Sequence, residues 1–150
     1  MTVSALSAAR ALCELRGWSV SNLEIQKVLY LAHLYHLGTK GEPLVWEPFE
    51  AWDYGPVVPD VYARAKGFGS NAVPNVFHWV PALAEDSPEY ATLKEVEQAV
   101  RGFSPGRLVD LTHWKDGAWA ACYRPGIRGI RIPNDKILAE YHARQALVAS

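Results

Sequence analysis

The stretch from Asn22 to Leu37 constrains the fold of this chain most, because apolar side chains cover nearly every side of the helix that it predicts. Ser21 and Glu24 have the spacing of a capping box, in which two side chains satisfy free backbone donors at a helix start. Gly38 predicts the end of this helix. A helix that is apolar all round belongs in the interior of a domain, so the sequence predicts further helices packed around it.

A few polar groups interrupt this apolar surface. Gln26 and His33, seven residues apart, fall on one stripe of the predicted helix beside Tyr30. Buried polar side chains in proteins are almost always hydrogen-bonded. If the helix is central, both side chains therefore need partners from other parts of the chain.

Helix start signals and amphipathic spacing predict five further helices. They begin near Ala5, at Pro59, at Ser87-Pro88, at Ser104-Pro105 and at Asn134 or Asp135, and glycines at positions 17, 67 and 69 end the first two of them. Along the helix from Ser87, Leu93, Val96 and Val100 share one face, and along the last helix Ile137, Tyr141 and Val148 share one stripe.

Short extended pieces are predicted between the helices. The looser pattern from Lys40 to Asp53 suits a small hairpin or an irregular ribbon, and Ile130-Arg131-Ile132 alternates like a strand. A chain of 150 residues is long enough for one ordinary domain and too short for two. The predicted fold is therefore a mainly α, compact single-domain helical bundle over residues 1–150, built around a buried central helix, with a small β-hairpin or short strands.

The composition excludes several classes of protein. Hydrophobic residues make up 49% of the chain and charged residues 21%, which is near the globular average and argues against disorder. The net charge of −1 gives no attraction to phosphate backbones or anionic lipids. Arg10, Glu14 and Arg16 interrupt the apolar start before a secretory or membrane segment forms. Cys13 and Cys122 are too few for a disulfide scaffold, so we expect a soluble, cytoplasmic protein with no membrane partner.

The segment from Phe49 to Tyr62 crowds aromatic residues and prolines together and contains no pair of nucleophile and base. The prolines at positions 56 and 59 fix backbone angles, so aromatic rings can be held in place with little ordering entropy. Tyr54-Gly55-Pro56 predicts a turn that leaves neighbouring rings on a rim. This pattern favours a recognition surface, while burial of the same rings, Trp52 above all, in the core is the other interpretation.

Catalytic and metal-binding patterns are weak. His33 and His36 are spaced to share a metal ion on one helix, but no further ligand follows at the spacing of a metalloenzyme. His113 follows Thr112, yet no nucleophile elbow surrounds them, and a cap or a core hydrogen bond is the better explanation of the pair. We predict no enzyme, no cofactor and no metal, with a small hydrolase or metal enzyme that uses these histidines as the alternative.

Other binding chemistries find little support. Asp53, Asp60 and Asp110 lie near turns, where aspartates commonly cap backbone donors, and the glycines do not form a phosphate-binding loop. The first two helices are joined like a helix-turn-helix, but the second offers leucine, tyrosine and alanine where a DNA reader exposes arginine, asparagine or glutamine. Nucleic acid is therefore not the expected partner, although DNA readout remains an alternative.

Several separated segments together carry a resemblance to a known family. They are Leu23-Glu24-Ile25-Gln26-Lys27-Val28-Leu29-Tyr30-Leu31-Ala32-His33, Phe49-Glu50-Ala51-Trp52 through Tyr54-Gly55-Pro56-Val57 to Val61-Tyr62, Leu111-Thr112-His113 before Trp119, and the tail from Ile132 to Tyr141. In this combination and order the chain resembles the Panacea domain family, the SocA-like antitoxins of bacterial and phage toxin–antitoxin pairs. One departure is Ala118, where the family has proline before the tryptophan.

The resemblance implies a non-enzymatic antitoxin that neutralises a cognate protein toxin by direct binding, the toxin being encoded by a neighbouring gene. It also implies an alternative, in which the protein acts as an adaptor that delivers the bound toxin to an ATP-dependent Clp-type protease. Affinity in such interfaces rests on a few aromatic and arginine residues. The predicted partner-binding residues are Trp52, Asp53, Tyr54, Pro56, Tyr62, Thr112, His113 and Trp119.

Overall fold

The computed structural model of the chain describes residues 1–149, and in these residues it has seven α-helices and three short strands. The mainly helical fold with a small hairpin that the sequence predicts is confirmed. The elements are α1 (Ala5–Leu15), α2 (Asn22–Lys40), β1 (Phe49–Trp52), β2 (Gly55–Val57), α3 (Pro59–Ala65), α4 (Pro88–Val100), α5 (Pro105–Thr112), α6 (Ala118–Cys122), β3 (Arg131–Ile132) and α7 (Asn134–Ala149).

The central position of α2 follows from its apolar surface. The helices α1, α4, α5 and α7 all pack against it. The consecutive residues Val28, Leu29 and Tyr30 point to three different sides of α2 and are all buried, so the helix has no solvent-facing stripe along this part of its length. Burial of apolar area at about 25 cal/mol per Å² is the main source of stability in such a core.

The start of α2 is the predicted capping box. The Ser21 hydroxyl accepts a hydrogen bond from the Glu24 backbone N–H over 3.3 Å, and the Glu24 carboxylate accepts one from the Ser21 backbone N–H over 2.9 Å. Both bonds satisfy donors that a helix start would otherwise leave free. Two residues three positions apart therefore fix this helix start by themselves.

The predicted end of α2 at Gly38 is wrong. The helix continues to Lys40 and ends at Gly41, which has the left-handed φ of 73° that favours glycine. Gly38 has a different reason to be glycine, because a Cβ there would lie only 2.2 Å from Cδ2 of Tyr141 on α7. The residue allows α2 and α7 to approach each other closely.

The two polar side chains predicted on α2 are buried and hydrogen-bonded, as expected. The Gln26 side-chain oxygen accepts from the Val58 backbone N–H over 2.9 Å, at the end of β2. His33 Nε2 lies 2.9 Å from the side-chain oxygen of Asn134, the first residue of α7. These bonds fix the positions of β2 and α7 against the central helix.

The sheet is antiparallel, with strand order β2-β1-β3. Trp52 pairs with Gly55, so Asp53 and Tyr54 form the two-residue turn of the hairpin. The predicted turn at Tyr54-Gly55-Pro56 is therefore displaced, since Gly55 and Pro56 are buried residues of β2. Gly55 has a φ of 116°, and a Cβ there would stand 3.0 Å from Lys27 Nζ. Glycine at this position lets β2 lie directly on α2.

The remaining helix starts are confirmed. Ser87 and Ser104 cap α4 and α5 by accepting hydrogen bonds from the backbone N–H of the residue three positions on, and a proline follows each. α3 begins at Pro59, and a short 3-10 turn at Lys66–Phe68 follows it before Gly69. The predicted α4 face of Leu93, Val96 and Val100 is buried.

The predicted apolar stripe of α7 holds only in part. Ile137 is buried, but Val148 is 82% exposed. Residues 145–149 are all exposed, so the last turns of the helix contribute little to the core. No helix within residues 1–149 is both long and apolar enough to cross a bilayer.

Candidate functional site

A groove of about 540 Å³ lies beside the hairpin. The first turns of α2 form its floor, the β1–β2 hairpin with Tyr62 of α3 forms one wall, and residues 127–129 form the other. Tyr54 at the hairpin turn is 72% exposed and Ile127 is 57% exposed. Large apolar side chains this exposed are typical of binding surfaces when they surround a concave site.

The structure brings together half of the predicted partner-binding residues around this groove, which Trp52, Asp53, Tyr54 and Tyr62 line. The Trp52 and Tyr62 rings meet edge to face, with centroids 4.7 Å apart. The Trp52 indole N–H donates to the Glu50 carboxylate over 2.9 Å. Both rings are partly buried, so they form a fixed wall. Their contact with a partner remains a prediction.

The other four predicted residues do not line the groove. Pro56 is buried in β2, and Thr112 is 1% exposed with its hydroxyl donating to the Leu108 carbonyl over 3.0 Å. His113 and Trp119 are partly buried. Pro56 thus bonds to α2 through its carbonyl, which accepts from Lys27, and Thr112 bonds to its own helix.

A stack of three rings holds the hairpin turn in place. The His113 and Trp119 rings are parallel with centroids 3.9 Å apart, and Trp119 stacks in turn on Tyr123 at 4.6 Å. The Trp119 indole N–H donates to the Trp52 carbonyl over 2.7 Å, and the Tyr123 hydroxyl donates to the Asp53 carboxylate. The hairpin end is thus tied, at the successive residues Trp52 and Asp53, to Trp119 of α6 and to Tyr123 just after it.

Sequence reasoning missed Tyr123. Its available signal was the spacing of four residues from Trp119, which places the two rings on one side of a helix. Its partner Asp53 lies 70 positions away in the sequence, and no local pattern reports such a contact.

Lys27 is the second residue that sequence reasoning missed as a site residue. It is the one charged residue between Ile25 and Leu37, and that isolation was the signal. The side chain is 2% exposed and lines the groove, and its ammonium donates to the Pro56 carbonyl over 3.0 Å. Burial lowers the pKa of Lys27 to about 7. Within residues 1–149 no carboxylate forms an ion pair with it.

His113 lies close to Lys27 beneath the hairpin. A Cβ on Gly55 would meet both, at 3.0 Å from Lys27 Nζ and 3.2 Å from His113 Cδ2. Burial lowers the pKa of His113, and the neighbouring Lys27 charge lowers it further. Nε2 of His113 is buried and has no hydrogen-bond partner in the described part of the chain. The region under β2 therefore disfavours positive charge.

The buried position of Lys27 predicts a pH dependence of stability. Between about pH 7 and pH 10 the unfolded chain keeps the lysine protonated while the folded protein releases the proton, so the free energy of unfolding rises with pH. From pH 7 to pH 9 the contribution is about 2 kcal/mol. We expect urea unfolding to show this rise in the wild type and a flatter profile in Lys27→Met.

The control for this prediction is Lys40→Met, because Lys40 is exposed at the end of α2. Its profile should match that of the wild type. Identical pH profiles for Lys27→Met and the wild type would contradict the assigned environment of Lys27.

The histidines considered for metal binding serve internal contacts. His33 bonds to Asn134 through Nε2, and its Nδ1 accepts from the Val45 backbone N–H over 3.3 Å. His36 Nδ1 lies 2.7 Å from the Thr92 hydroxyl. Burial lowers the pKa of His33 to about 4, so the ring is neutral at pH 7. In residues 1–149 no group of three or more His, Cys, Asp or Glu side chains is placed to hold a metal ion.

The fold and the groove define a small helical domain with aromatic residues lining a groove beside its hairpin. Residues 25–120 match the family model described as antitoxin SocA-like, Panacea domain. The chain belongs to this family, which confirms the resemblance predicted from the sequence. The matched span contains α2 from Ile25 onward, the hairpin and Trp119, whereas Tyr123 and the groove wall at 127–129 lie outside it.

A curated relative supports the same assignment. The chain is 33% identical over 109 residues to antitoxin SocA of Caulobacter vibrioides (strain NA1000 / CB15N). The match covers 67% of this chain and 58% of that protein, so the chain corresponds to little more than half of the relative's length. No solved structure matches the chain. Membership in this family supports an antitoxin role.

Proposed function

We propose that the protein is an antitoxin that neutralises a cognate protein toxin by binding it directly. The observation that carries the proposal is the family match over residues 25–120, and the relative named antitoxin SocA supports it. The toxin would be the product of a neighbouring gene, and neutralisation would take place in the cytoplasm. Binding requires no reactive group, and this is consistent with the hydrogen bonds that His33 and His36 form to other residues of the chain.

The geometry supports the surface around the groove as the place of contact. We call this surface the hairpin face and define it by Trp52, Asp53, Tyr54, Tyr62 and Ile127. Interfaces draw most of their affinity from a few aromatic residues near the centre, surrounded by contacts that exclude water. Tyr54 is exposed while the turn that carries it is tied to α6. A ring held in this way loses little entropy on binding.

Growth rescue tests the proposed function. The neighbouring gene is expressed from an inducible promoter in a bacterial host, with and without this protein. We expect growth inhibition by the neighbour alone and restored growth when both are present. If the neighbour is not toxic, or if it stays toxic in the presence of this protein, the proposal fails.

The same strains separate simple blocking from delivery to a Clp-type protease, the alternative that the resemblance implies. Blocking predicts that the half-life of the toxin is unchanged or longer when this protein is present. A half-life that shortens only in cells with the protease would instead assign the adaptor mechanism.

Tyr54→Ala is the sharpest test of the hairpin face. We expect the affinity for the toxin to fall about 30-fold, because truncation of a central aromatic residue commonly costs at least ~2 kcal/mol of binding. Stability should change little, since the side chain is mainly exposed. Affinities are measured by titration calorimetry and stability by urea unfolding.

Trp46→Ala is the matched control, because Trp46 is also an exposed aromatic residue and does not line the groove. We expect it to bind the toxin like the wild type. Unchanged binding by Tyr54→Ala together with weakened binding by Trp46→Ala would place the contact on another surface.

A further inference from the structure

The charged groups that line the groove are unequally satisfied. Among the acids, Glu50 accepts a hydrogen bond from the Trp52 indole and Asp53 accepts one from the Tyr123 hydroxyl. Among the cations, Lys27 has one carbonyl partner and no ion pair, and Arg128 has neither a hydrogen bond nor an ion pair within the described residues. The acids of the groove therefore already have hydrogen-bond donors, whereas its two cations have no anionic partner in residues 1–149.

The Lys27 ammonium has N–H donors left for an anionic partner. It has three N–H donors, and its one hydrogen bond, to the Pro56 carbonyl, uses a single donor. A buried charge without a counter-ion is costly, and a carboxylate that supplies one recovers much of that cost. The start of α2 adds a small favourable field, because Asn22 and Leu23 of its first turn line the groove and the positive end of the helix dipole lies there.

The walls of the groove are apolar. Trp52 and Tyr62 line one wall and Ile127 the other, and Val57 of the hairpin also lines the groove. An occupant must therefore combine an anionic group with apolar neighbours. A free inorganic anion would leave these walls uncovered, whereas a peptide segment covers them.

We infer that the groove binds an acidic side chain of the toxin, an aspartate or glutamate flanked by apolar residues, whose carboxylate pairs with Lys27 and Arg128. This inference rests on the proposed function for the identity of the partner and on the groove for its chemistry. The apolar neighbours of the acidic residue pack on Trp52, Tyr62 and Ile127. Such charge-assisted hydrogen bonds are stronger than neutral ones.

A pair of short peptides tests the inference without the toxin. The probes are N-acetyl-Leu-Glu-Leu-amide and N-acetyl-Leu-Gln-Leu-amide, which differ only in the charged group. We expect the glutamate peptide to bind the wild-type protein roughly tenfold more tightly than the glutamine peptide. In two-dimensional NMR the backbone signals of Tyr54 and Ile127 should shift, and the pKa of Lys27 should rise above its value of about 7.

Two variants test which residues cause the preference for the glutamate peptide. Lys27→Met should bind both peptides equally, and Arg128→Gln, at an exposed position, should retain part of the preference. The NMR spectrum of each free variant shows whether it is folded. Equal binding of the two peptides by the wild type, binding of neither, or an undiminished preference in Lys27→Met would overturn the inference.

The toxin separates failure of this inference from failure of the proposed function. If Lys27→Met and Arg128→Gln neutralise and bind the toxin as the wild type does, the acidic anchor is wrong while the antitoxin role stands. If the wild type shows the peptide preference and fails to neutralise its neighbour, the groove chemistry stands and the proposed function is wrong.

Discussion

Replacing Glu140 with alanine is expected to lower the free energy of unfolding by about 3–5 kcal/mol. Glu140 on α7 is 3% exposed, and one carboxylate oxygen accepts from the Tyr30 hydroxyl over 2.7 Å and from the Ala118 backbone N–H over 2.9 Å. The other oxygen pairs with Arg144 over 2.8 Å. Alanine leaves a buried hydroxyl, a buried N–H and a partly buried charge without their partner, and each loss is costly.

Urea unfolding at pH 7 measures this effect, with Glu85→Ala as the matched control. Glu85 is exposed and forms no hydrogen bond or ion pair among residues 1–149, so its removal should change stability by less than about 0.5 kcal/mol. Equal stabilities for the two variants would contradict the role of Glu140 as the group that joins α2, α6 and α7.

Replacing Gly38 with alanine is expected to cost about 3 kcal/mol, at the upper end of the range for overpacked cores. The added Cβ would lie within 2.4 Å of three ring carbons of Tyr141, so the ring or one of the helices must move. Alanine is otherwise the better helix former by about 1 kcal/mol. The sign of the measured change therefore reports the contact between α2 and α7 directly.

Gly106→Ala is the control, because Gly106 is also helical and a Cβ there meets nothing closer than 4.0 Å. It should stabilise the protein by about 0.5–1 kcal/mol. In a double-mutant cycle, Tyr141→Ala should relieve much of the cost of Gly38→Ala, since it removes the ring that clashes. Stabilisation by Gly38→Ala alone would contradict the close approach of the two helices.

The sequence predicted those parts of the fold whose causes lie within a few residues. Ser21 with Glu24, Ser87 and Ser104 satisfy donors three residues away, so the helix starts were correct. The central position of α2 could also be predicted, because the apolar pattern that causes it lies within the helix itself. The end of α2 was misjudged because the reason for Gly38 is Tyr141, more than a hundred positions along the chain.

The candidate site shows the same limit. The hairpin residues Trp52 and Tyr54 could be predicted because their aromatic composition is local. Lys27 was missed because its unusual environment comes from β2, which covers it after folding. Thr112, one of the residues on which the resemblance was based, bonds to its own helix and is buried, and a resemblance does not separate residues that define a fold from residues that bind a partner.

Amide hydrogen exchange of this protein, alone and with the purified product of the neighbouring gene, tests the central claim most directly. Direct binding at the hairpin face predicts slower exchange at residues 52–57 and 127–129 in the complex, with the exposed end of α7 at residues 145–149 unchanged. Exchange that is the same with and without the neighbour's product, or protection confined to the end of α7, would contradict the claim that the protein neutralises a toxin through the hairpin face.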